Sequence, residues 1–128
     1  MRKLFRIALA VLFAASAAAP LLADEAANVR TMAGILAKLN HFASDAEKKS
    51  LQAIVDDKTA GASEKTLASA LMNVQHTVTA ADKPKVEAVA KDPKASASLK
   101  TLASVLVGLN HTPSAAEKEA LTKLAAAK

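Results

Sequence analysis

The chain has no cysteine, no tryptophan and no tyrosine. Without thiols it can form no disulfide, no thiolate-held metal site and no lipidated N-terminal cysteine. Of its three phenylalanines, Phe5 and Phe13 lie near the start, leaving Phe42 as the one aromatic residue of the remainder. Arginine is equally scarce, with Arg30 alone beyond Arg2 and Arg6. A nucleic-acid-binding surface draws on clustered Lys/Arg and on stacking rings, so that class is excluded. Arg and aromatic anchors also dominate tight protein interfaces. Their scarcity favours weak contacts, or self-association through Ala/Leu faces.

What is present begins with an export-like N-terminus. Arg2, Lys3 and Arg6 precede an apolar run over 7–19, then Pro20-Leu21-Leu22-Ala23 and the acidic pair Asp24-Glu25. A basic start, a short apolar core and a small residue before a charge change predict a secretory signal peptide, residues 1–23, cleaved after Ala23. A membrane-spanning helix needs roughly 20 apolar residues, and Pro20 interrupts this one. The expected destination is periplasmic or secreted, with no transmembrane segment after cleavage. The full chain carries 17 Lys+Arg against 12 Asp+Glu; three of the basic residues lie in 1–23, so residues 24–128 hold 14 against 12, a net charge of +2. That remainder fits one small domain. Half of its apolar residues are Ala, with Leu, Val and Ile in support, which predicts a thin core and modest stability.

The remainder repeats itself every 35 residues. Copies at 29–63, 64–98 and 99–128 align without a gap, and six positions are identical: Thr31/Thr66/Thr101, Ala33/Ala68/Ala103, Leu36/Leu71/Leu106, His41/His76/His111, Ala46/Ala81/Ala116 and Lys48/Lys83/Lys118. A period of this length predicts stacked supersecondary units. In the first half of each copy, Met32, Ala33, Leu36 and Leu39 and their equivalents form one apolar stripe at helical spacing. The expected fold is all-α: three tandem αα-hairpins, as a short solenoid or a closed helical bundle. The period resembles that of tetratricopeptide-type arrays, about 34 residues. The Trp, Tyr and Phe positions and the closing Pro of that pattern are missing here, so its peptide-binding groove does not carry over.

Asn28, Ser63 and Ser98 stand at one equivalent position before the first helix of each copy and are expected to be its N-caps. Ser44 and Ser114 open second helices with S-x-x-E, the reciprocal capping box, and Thr79 opens the middle one with a weaker version. Pro84 is tolerated only in a first turn, so that helix should start near Asp82 or be distorted.

Each copy's joint carries a His. At the end of a first helix, a His can meet the C-terminal carbonyls and the negative end of the helix dipole, and the spacing favours this turn role. The alternative is chemical: His41, His76 and His111 would together hold zinc, copper or haem iron. A linear stack of helices 8–10 Å apart cannot bring them to one ion, whereas a closed ring can. His111, Ser114 and Glu117 are the residue types of a nucleophilic triad, but capping accounts for all three, so no enzyme is expected. The leading reading is an exported, non-enzymatic repeat protein contacting a protein or envelope component. A metal or haem carrier using the repeated histidines is the alternative.

Overall fold

The apolar stripe of each copy is buried along its whole length. The computed structural model describes residues 25–126, so the expected signal peptide lies outside the described residues. Six α-helices follow in order: α1 (25–37), α2 (Asp45–Asp56), α3 (Ala62–Asn73), α4 (Lys83–Lys91), α5 (Ala97–Gly108) and α6 (Ala115–Ala126). No strand occurs among the described residues. None of their helices is long and apolar enough to cross a membrane.

Burial follows the 35-residue period. Ala33, Ala68 and Ala103 are each fully buried, as are Leu51, Val86 and Leu121, while Leu36, Leu71 and Leu106 are at most 1% exposed. The first set lies on α1, α3 and α5, where a methyl side chain lets backbones approach closely. Thr31, Thr66 and Thr101 share a role as well. Each hydroxyl donates to the carbonyl four residues back, on Ala27, Ala62 and Ala97, at 2.9–3.1 Å. That back-bond satisfies the hydroxyl inside the helix.

Helix starts differ in part from expectation. Ser44 caps α2 with the full reciprocal box, and Ser114 and Glu117 make the same pair of bonds ahead of α6. The first helices begin earlier than their serines suggested. Gly61 caps α3 while Glu64 reaches back to its N–H at 2.8 Å, and Ser96 caps α5 by accepting from the Leu99 N–H. Ser63 and Ser98 therefore fall inside the first turn rather than at the cap. Asn28 lies within α1, where its amide donates to Glu64 Oε1 at 2.7 Å and ties α1 to α3. Pro84 sits in the first turn of α4, which starts at Lys83 with Asp82 as its cap. Thr79 holds the preceding turn, its hydroxyl accepting from the Asp82 N–H.

The pairing of helices also differs from three hairpins that each turn at a His. Among α2 to α6 the most extensive contacts join α2 to α3 and α4 to α5, across the short links 57–61 and 92–96. Each link opens with an aspartate, Asp57 or Asp92, whose carboxylate accepts the N–H two residues on. Pairs flanking a His, α3 with α4 and α5 with α6, touch less. The cause lies in the joints, which are drawn together at one end of the bundle.

Candidate metal centre

Each joint is anchored on both sides of its His. Leu39 and Ala43, Val74 and Val78, and Leu109 and Pro113 lie two residues before and after and are all buried. The intervening backbone must reverse, and it does so through a left-handed residue: φ is 79° at His41 and 69° at His76 and His111. No other non-glycine residue among those described has positive φ. Flanking residues then face each other, with the Thr112 N–H donating to the Asn110 carbonyl at 2.8 Å and the Gln75 N–H to the Thr77 carbonyl at 3.2 Å. Asn40 and Phe42 pair in the same way.

The three reversals join into a ring. His41 N–H donates to the His111 carbonyl at 2.9 Å, His111 N–H to the His76 carbonyl at 2.6 Å, and His76 N–H to the His41 carbonyl at 2.7 Å. This cyclic set settles solenoid against bundle, because a linear stack would hold the first and third joints apart. The helices form a closed bundle.

The imidazoles crown that ring. Their centroids lie 4.8, 5.2 and 4.7 Å apart in edge-on contacts, within the range of favourable aromatic pairs. One ring nitrogen from each residue can be chosen so that all three lie within 4.8 Å of one another. Three nitrogens on a tetrahedral zinc, at bonds of about 2 Å, sit about 3.3 Å apart. An ion held by all three would need the nitrogens to draw closer by rotation of the side chains. His76 and His111 are exposed and His41 half-buried, so the rings have room to turn and the face away from the bundle stays open.

His111 Nδ1 lies 2.7 Å from Asn110 Oδ1, within hydrogen-bonding distance. Such a partner orients a metal-binding imidazole and raises its basicity. The residue before each His is an amide in all three copies: Asn40, Gln75 and Asn110. Among the described residues no Asp or Glu joins the cluster.

The chain matches no known family, no curated protein and no solved structure. The site therefore speaks through its own geometry. Of the residues singled out in the sequence, His41, His76 and His111 are brought together, while Ser114 and Glu117 are occupied with each other's backbone. Sequence reasoning missed the left-handed backbone at each His. It also missed a cleft beside His76 lined by Phe42, Lys48 and Met72. The one signal for the first was His standing in every copy where a turn would ordinarily use Gly or Asn.

Proposed function

We propose that this is an exported, non-enzymatic metal-binding protein built from three tandem units on a 35-residue period, with His41, His76 and His111 as ligands of one borderline divalent ion, zinc or copper. The observation that carries the reading is the meeting of the three imidazoles on a strained backbone. A left-handed conformation costs a non-glycine residue roughly 1–2 kcal/mol, and strain of this kind clusters at functional sites. Glycine would relieve it at every copy, yet each copy holds a His. A side-chain role accounts for that choice better than a turn role.

Three imidazoles and an open fourth position suit zinc or copper. With no carboxylate or thiolate in the set, hard cations such as calcium and ions bound through thiolates fit less well. Haem also fits poorly, since so large a group would need space around a single imidazole nitrogen and these three imidazoles crowd each other edge-on.

Equilibrium dialysis of the protein with zinc and with copper(II) tests the proposal. One ion per chain should bind, and each of His41→Ala, His76→Ala and His111→Ala should weaken binding by roughly 100-fold or more. Loss of an outer-shell partner alone typically costs 10–100-fold, and loss of a ligand should exceed that. Equal binding by wild type and all three variants would remove the site.

A further inference from the structure

The copies are alike in most positions around the histidines, but two departures meet in one place. Phe42 stands where the other copies have Thr77 and Thr112, and Met72 where they have Ala37 and Val107. Although 30 positions apart, both line a single cleft of about 700 Å³ against His76, with Lys48, Gln75 and Thr79 also on its walls. Phe42 is 60% exposed, the one large apolar side chain left in solvent among the described residues. Lys48 is half-buried there and has no carboxylate partner among the described residues.

Charge and coordination point the same way. Three neutral imidazoles leave a divalent ion with its full charge and one position to fill. The cluster supplies no acid of its own, and the neighbouring cation adds to the positive field. An anion from outside answers both needs. The cleft's apolar wall, built on Phe42 where the other copies carry Thr77 and Thr112, adds a preference for an anion with an apolar body.

Resting on the three-histidine reading, we propose that the metal-loaded protein binds a small organic carboxylate with a flat apolar body. Its carboxylate would take the open metal position beside Lys48, and its body would lie on Phe42 and Met72. The cleft's size is within the range of small-ligand pockets. Phe42 supplies an aromatic face at little ordering cost, and Met72 an adaptable one.

The test is calorimetric titration of zinc-loaded protein with two probes, benzoate and acetate, alongside the zinc-free protein. Benzoate should bind the loaded form roughly tenfold or more tightly than acetate, the effect expected of a buried ring face, and neither should bind the zinc-free form. Phe42→Ala should bring benzoate to the acetate level with zinc affinity unchanged, because Phe42 is not among the three residues that would hold zinc. Lys48→Ala should weaken both probes. If zinc binds and benzoate and acetate are equal, or if Phe42→Ala leaves benzoate binding intact, the carboxylate proposal falls while the metal site stands. If dialysis shows no bound zinc, both fall together.

Discussion

The main-chain N–H of His41 donates to the carbonyl of His111, 70 positions further along the chain, at 2.9 Å. That bond joins the first joint to the last and makes the bundle a ring. In an open array each unit leans only on its neighbours, and removing a terminal unit leaves the rest folded. Here the third unit also closes onto the first. Deleting residues 99–128 should therefore abolish cooperative melting by circular dichroism, and not merely lower the melting temperature. A shortened chain that still unfolds in a sharp transition would contradict the closed architecture.

The left-handed histidines predict an unusual order among substitutions. In the metal-free protein, alanine at position 76 keeps the strain and loses the ring contacts, while glycine loses the same contacts and releases the strain. His76→Gly should be more stable than His76→Ala by about 1 kcal/mol, the difference between left-handed strain and the extra unfolded-state freedom of glycine. Urea unfolding of both variants checks this. An alanine variant equal to or above the glycine variant would mean that the backbone at His76 carries no strain.

Helix α5 separates two serines of the same chemistry. Ser96→Ala removes the oxygen that accepts from the Leu99 N–H and should cost about 1 kcal/mol. Ser98→Ala, inside the first turn, should cost little or nothing. Thermal melts of the two variants distinguish them, and equal losses would move the cap.

This pair also shows where sequence reading stopped. The segment Ser96-Ala97-Ser98 offers two cap-competent residues, and nothing local ranks them; the helix takes the earlier because Ala97 and Ser98 can both join the first turn. The buried stripe of Met32, Ala33, Leu36 and Leu39 was legible, because helical spacing alone assigns a face. The candidate ligands were legible too, through the recurrence of His41 at His76 and His111. Their convergence was not. A period establishes that copies are equivalent, but the rotation from one copy to the next depends on how α2 meets α3 across the link that Asp57 opens. Phe42 and Met72 were read apart for the same reason, since they share a cleft only once the ring has formed.

Asp57 provides a pH test. The Thr59 hydroxyl and N–H, both donating to its carboxylate, hold it below the ordinary carboxylate range. A lowered folded value means stability that is present above the unfolded-state value, about 3.9, and is lost as pH falls through the folded value. Thr59→Ala removes the hydroxyl bond and should lower the melting temperature slightly at pH 6. The gap between variant and wild type should close as pH falls through the folded value and the carboxylate becomes protonated in both states. A gap that stays constant across this range would assign the effect of Thr59 to packing alone.

Because the histidines stand at positions 41, 76 and 111, no stretch of this chain carries the centre by itself. A nascent or threading polypeptide exposes its imidazoles one at a time, each on an unformed turn with no grip on an ion. If the proposed site holds an ion, capture would wait until the last joint docks onto the first. Metal loading would then report that the whole chain has arrived and folded, and a fragment, however well ordered, would stay silent.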